Sequence, residues 1–330
     1  MSALSQFVQE RLQIVTGGQP EAVLPLARDE VSGHVDACYD VHWARDEDDV
    51  QDAQRLRYQV FAHEMGVRLN GSHPAMSAIP SGAGDARDVD PFDAHCKHVL
   101  VRLPRQAGQS RGQVIGTYRL LAPEAVSRAG DLYCATEFDL RPLAALRPRM
   151  AELGRACVHS DYRSGGVVLA LWGAVVRYTV EHEIETLLGS VSVPVRGLCG
   201  GHRTANGHEA RASISSLWAW LKGAHLAAPE WQIRPLRAFL VATGSKASEA
   251  IPDDEVNLGN RVSFPAPAPA PSRAEIPALI KGYLACNARV LGPPAFDEDF
   301  GTADFPMLLR MQDLPLRHRR RFTGYATESV

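Results

Sequence analysis

The chain of 330 residues is 45% apolar and 22% charged, with a formal net charge of −3. Those proportions belong to a globular protein able to bury an ordinary core, and they exclude fibrous and wholly disordered classes. A near-neutral balance gives no global field for nucleic acid, and no nucleic-acid partner is expected.

Residues 1–38 read as a short amphipathic helix and a connector, an N-terminal extension of unassigned role. "CYDVHWAR" at 38–45 alternates and predicts a strand. Acids at 46–49 followed by Val50, Ala53, Leu56, Val60 and Phe61 predict a helix that Gly66 ends. Composition makes 70–88 a loop. A strand at 98–103, the turn "AGQSRGQ" and a return strand at 114–123 read as a hairpin. A strand-edge segment is expected over 127–140 and a short helix near 141–147. A strand at 151–159, a helix at 167–182, a buried strand at 185–193 and a helix at 210–227 follow. The segment 230–240 reads as a strand. "PAPAPAPS" marks 243–274 as a stiff extended loop. A helix and strand within 274–296 and a strand at 303–314 complete the order.

Hairpins come first and helix crossovers later, which predicts an α/β fold with a mixed sheet and helices on both faces. A single domain is expected over 39–322, with a tail at 323–330. The first residues lack a basic segment before an apolar run, so no signal peptide is read. No run of about 18 apolar residues offers a membrane span. A cytoplasmic protein is expected, with the basic "LRHRRRF" at 316–322 as a candidate contact with anionic lipid at the inner face of the membrane. None of the six cysteines forms a C-x-x-C pair and the twelve histidines show no metal-ligand spacing. Scattered reduced thiols and no metal site are the expectation.

The informative unit is "MAELGRACVHSDYRSGG" at 150–166. It is a strand carrying two opposite charges, Glu152 and Arg155, and then a glycine turn into a helix. Gly165 and Gly166 free the backbone to present N–H groups at the helix start, where the dipole favours an anion, and Arg163 adds positive charge. If the strand is regular, Arg155 lies on the face opposite Glu152; a bulge would change that.

"AELGRACVHSDYR" with "GG" and "LALW", together with "RLRYQVFAHEMG", "DVDPFDAHCKHVLV", "GTYRLL", "EFDL" and the C-terminal "PALIKGYLACNARVLGPPAFDEDFGTADFPMLL", resembles the acyltransferases that make ornithine lipids, within the GNAT superfamily. The layout is also similar to the acyl-homoserine-lactone synthases. The resemblance runs from about 40 to 322. It implies a mostly antiparallel sheet splayed between two central strands, with an acyl thioester in the gap. Arg163, Ser164, Gly165 and Gly166 would hold the phosphate of a phosphopantetheine arm. The adjacent glycines depart from the spaced pair of the usual acetyl-CoA loop, which favours acyl carrier protein over coenzyme A as donor. No resident cofactor is implied.

By the same resemblance, Glu152 is the candidate base that removes a proton from the acceptor amine. A structural ion pair with Arg155 or Arg119 is the other reading. Arg57, Asp90, Asp93, Arg119 and Arg155 match charged positions of the homoserine-lactone synthase site. Asp90 and Asp93 would attract a cationic amino acid such as ornithine, and Arg119 would clamp its carboxylate. His159 is either a second acid–base group or a strand cap. The expected reaction is transfer of a long 3-hydroxyacyl chain to the α-amine of ornithine. Another amino acid, a quorum-signal product, or a non-catalytic carrier- or lipid-binding role are the alternatives.

Overall fold

The computed structural model describes residues 39–67, 77–79, 86–163, 165–195, 207–238, 271, 276–297 and 300–323. The expected helix within 1–38 and nearly all of the extended loop at 243–274 lie outside them.

Eight strands build the main sheet: β1 (Asp40–Trp43), β2 (Lys97–Arg102), β3 (Val114–Leu121), β4 (Met150–Val158), β5 (Thr186–Pro194), β6 (Arg289–Val290), β7 (Ala295–Asp297) and β8 (Thr302–Arg310). Their order is β1-β2-β3-β4-β5-β8-β6, with β7 also on β8. Every pair is antiparallel except β4 with β5. That parallel pair is ladder-bonded only from Met150–Leu153 to Thr186–Gly189. Beyond it both strands continue without each other, so the sheet forks. Gly189 stands at the fork because a Cβ there would come 2.5 Å from the Tyr283 hydroxyl.

The alternation of β8 sends Ala303, Phe305, Met307 and Leu309 into one core with Val191 and Val193 of β5. Helices α2 (Gly166–Glu181), α3 (Gly207–Ala224), α4 (Ala278–Ala285) and α5 (Leu316–Thr323) contribute to that face. Trp172 and Trp218 are buried in it as packing. The opposite face receives α1 (Glu47–Tyr58), whose Ala53 and Leu56 pack with Leu100 and Cys157. Asp46 caps α1 by accepting the Asp49 N–H at 2.9 Å, and Glu47, Asp48 and Asp49 occupy the first turn, as the dipole favours. No helix among the described residues is long and apolar enough to cross a membrane.

Three expected elements are shorter or less regular than expected. The segment 127–140 is a helical turn (Val126–Ala129), a 3₁₀ turn (Tyr133–Thr136) and a two-residue strand, Phe138–Asp139, rather than a strand edge. Its partner, Arg234–Pro235, is all that forms of the strand expected over 230–240. The helix expected near 141–147 is a pair of 3₁₀ turns, Arg141–Leu143 and Arg147–Arg149. Prolines at 142, 148, 229 and 235 withhold the N–H groups that longer elements would need.

Candidate active site

The site begins with an irregularity in β4. Thr117 pairs with Cys157 and Arg119 with Gly154, so β4 carries one extra residue at this point. Arg155 takes that extra place with φ 54°. The bulge turns its side chain to the face that carries Glu152, where a regular strand would have put it opposite.

A cavity of about 240 Å³ opens at the fork, lined on β4 by 153–156 and on β5 by Ser190 and Ser192. Glu152, Arg119 and Arg155 all reach it. Glu152 is 5% exposed. Its two oxygens accept the N–H groups of Tyr133 at 2.6 Å and Cys134 at 2.7 Å, the opening donors of the 3₁₀ turn. Burial raises its pKa, while those donors and Arg119 pull it back. Among the described residues neither Arg119 nor Arg155 forms an ion pair with it. Of the two readings left open by the sequence, that ion pair does not form, and each oxygen keeps lone-pair capacity toward the cavity.

The arginines are held elsewhere. Arg57, 1% exposed, donates to both oxygens of Asp93 at 2.8 and 2.6 Å and pairs with Asp88 at 2.8 Å. Arg119 meets Asp90 and Asp93 at 3.0 Å each, and Arg155 meets Asp90 at 2.9 Å. Asp90 also accepts the Phe92 N–H at 2.7 Å. Burial works to raise the Asp93 carboxyl, but Arg57 and Arg119 overcome it and hold the group well below its ordinary range. Asp90 and Asp93, expected to receive a cationic acceptor, are therefore matched by the protein's own guanidinium groups and do not line the cavity. Arg155 lies over the rings of Phe300 at 5.0 Å and Tyr133 at 5.6 Å, which fixes its plane at the cavity wall.

A second set of acids at the cavity was not singled out by the sequence reading. Glu137, Asp297 of β7 and Asp304 of β8 bring carboxylate oxygens within 4.8 Å of one another. Burial pushes Glu137 well above its ordinary value and raises Asp304. A signal existed, since Asp304 interrupts the apolar run "TADFPMLL" just as Glu152 interrupts β4. An all-oxygen set of this kind suits a hard cation or an ammonium group.

The glycine turn lies beyond β4. His159 lies outside the cavity lining. Its Nδ1 accepts the Asp161 N–H at 3.3 Å, capping a 3₁₀ turn at Ser160–Tyr162. Arg163 pairs with Glu64 and donates to the Val158 carbonyl at 3.0 Å. Ser164 lies outside the described residues. Gly165 has φ 103° and precedes α2, which begins at Gly166. Gly116 of β3 lets the first turn of α2 sit against the sheet, because a Cβ would come 2.4 Å from Val167. Cys157 is buried and its thiol is pushed up to about 12, unlike an activated nucleophile.

A family model described as "Acetyltransferase (GNAT) domain" matches residues 56–173. The chain is 33% identical over 286 residues to the L-ornithine N(alpha)-acyltransferase of Rhodobacter capsulatus, covering 86% of this chain and 95% of that protein. It is 30% identical over 284 residues to the enzyme of the same name from Brucella abortus, covering 85% and 87%. Among solved structures, the AHL synthase LasI is similar at 12% identity and TM-score 0.41, over 89% of this chain and 99% of that one.

Proposed function

The chain belongs to the L-ornithine N(alpha)-acyltransferase family and is an N-acyltransferase, and from that premise we propose that it moves a long 3-hydroxyacyl group from acyl carrier protein to the α-amine of ornithine. The product is lyso-ornithine lipid. The observation that carries this reading is the cavity at the fork, where the buried Glu152 carboxylate stands beside Arg119 and Arg155.

The chemistry follows from charge. An α-ammonium with a pKa near ~8 cannot attack until it loses a proton. Glu152, directly or through a water, accepts that proton, and its burial makes it a stronger base than an exposed carboxylate. The neutral amine attacks the thioester carbonyl, the C–N bond forms and the C–S bond breaks. The departing thiolate takes up a proton, so no acyl-enzyme is required. Arg119 and Arg155 face the acceptor carboxylate, and their aspartates hold them in place. The N–H groups that open α2 at Gly166, with Arg163, Ser164 and Gly165, receive the donor phosphate. His159 is a positioning residue that holds the turn leading to them. The exposed arginines of α5 supply positive surface for the acidic carrier protein or for anionic lipid.

The test is acyl transfer from 3-hydroxyacyl carrier protein to labelled ornithine. Glu152→Gln should lower kcat by roughly 10²-fold. The rise of activity with pH should also lose the limb that sits above the ordinary carboxylate range. A full-strength Glu152→Gln enzyme removes Glu152 from the mechanism. Wild-type chain that makes no lipid-soluble product with ornithine removes the reading.

A further inference from the structure

The acids of the fold fall into two classes. Asp88, Asp90 and Asp93 are each met by a guanidinium. Glu137, Asp297 and Asp304 are met by none among the described residues. Asp297 accepts the Phe300 N–H at 2.9 Å. Both oxygens of Glu137 and Oδ1 of Asp304 are buried with no hydrogen-bond partner among the described residues. Asp304 is only 3% exposed and still lines the cavity. Carboxylates this close repel one another, and a shared proton or a cation relieves the repulsion. Ser190 Oγ, on the same wall, is a further buried oxygen without a partner.

We propose that Glu137, Asp297 and Asp304 form the pocket that binds the side-chain ammonium of the acceptor amino acid and so select a diamino acid over its uncharged analogues. The proposal rests on the ornithine reading above and assigns to it residues of its own. Ornithine presents three charges, and the cavity offers a group for each. Glu152 serves the α-amine, Arg119 and Arg155 the carboxylate, and the three acids the far end of the chain. An ammonium has three N–H donors and no acceptor, one donor for each carboxylate.

The spacing agrees. Glu152 is held by the first amides of the 3₁₀ turn Tyr133–Thr136, and Glu137 follows its last residue. At ~2.0 Å per residue that turn places the backbone of Glu137 roughly 6–8 Å from the amides that hold Glu152. The two nitrogens of extended ornithine are five bonds apart, roughly 6 Å end to end once bonds of ~1.5 Å zigzag at tetrahedral angles. One short turn therefore sets both ends of the acceptor site.

The experiment titrates the full chain with ornithine and with norvaline, which ends in a methyl group. It is run on wild type, Asp304→Asn and Glu137→Gln, with Mg²⁺, Mn²⁺ and Ca²⁺ each added alone as further probes. Wild type should prefer ornithine by roughly tenfold to hundredfold, the worth of a charge-assisted hydrogen bond. In each folded variant the preference should drop below about threefold, with norvaline binding unchanged. Thermal unfolding identifies which variants are folded, and the two substitutions are independent of each other. A preference that survives both substitutions, a wild type with no preference, or a divalent ion that binds wild type and competes with ornithine overturns the proposal. An acyl-transfer assay on the same samples separates the two claims. Ornithine preference without any acyl transfer sinks the proposed reaction and leaves the pocket standing.

Discussion

Arg57 cannot lose its charge at any ordinary pH, so its burial to 1% exposure is tolerable only with Asp88 and Asp93 against it. Breaking one side of a buried pair strands the other. Arg57→Met should therefore destabilise the fold by about 3–5 kcal/mol, read as a lower urea midpoint. Asp88→Asn added to Arg57→Met should recover part of the loss, because Asp88 is otherwise left with only Arg155 at 3.5 Å. No recovery would mean that Arg57 acts through packing alone. The pH sign follows from Asp93. Its folded pKa lies below the unfolded one, so its contribution is complete above the ordinary carboxylate value and is lost as the solution is acidified through the folded value. The aspartates that pair with Arg57 also hold Arg119 and Arg155 at the cavity: Asp93 meets Arg119 at 3.0 Å and Asp88 meets Arg155 at 3.5 Å.

At the scale of the element, the fork and the bulge in β4 converge on one cavity, and the proposed donor-phosphate site is the start of α2. Gly165 at φ 103° is a conformation that costs other residues roughly 1–2 kcal/mol. Gly165→Ala should lower stability by about that amount. It should also raise KM for the acyl donor several-fold with kcat and the KM for ornithine little changed, since the N–H groups at the turn would be displaced. Equal rises in both KM values would place the phosphate elsewhere. The regular elements were legible in the sequence because their periodicity is local. β4, α2 and β5 fall within one residue of their expected bounds at either end. The bulge was not legible, because the φ of Arg155 leaves no trace in a pattern of apolar residues. Nor was the pairing of Asp93 with Arg57 and Arg119, which lie 36 and 26 residues away in sequence. Glu152 could be found because a charge in a buried strand is anomalous. Asp304 carries the same signal in β8, but its partners Glu137 and Asp297 come from a 3₁₀ turn and a three-residue strand that periodicity does not mark.

Across the whole molecule the cavity is electrically lopsided. Its β3–β4 wall holds arginines balanced by aspartates, and its opposite wall holds Glu137, Asp297 and Asp304, which no guanidinium among the described residues meets. The first arrangement favours the fold and the second opposes it, which gives the acids a distinct signature in stability against pH. Burial raises Asp304 to about 6 and Glu137 upward with it. A raised folded carboxyl pKa means that the unfolded chain releases the proton first. Stability is therefore unaffected below the unfolded value and falls as pH rises from there through the folded one. Asp304→Asn removes that penalty. The variant should match wild type in melting temperature near about pH 4 and exceed it by a few degrees above about pH 6.5. Saturating ornithine should narrow the gap, because wild type, with the carboxylate that meets the ammonium, gains more from binding than the variant does. A difference between the two proteins that stays constant from acid to neutral pH would show that Asp304 ionises like an exposed carboxyl, with no strained charge on that wall for a ligand to relieve.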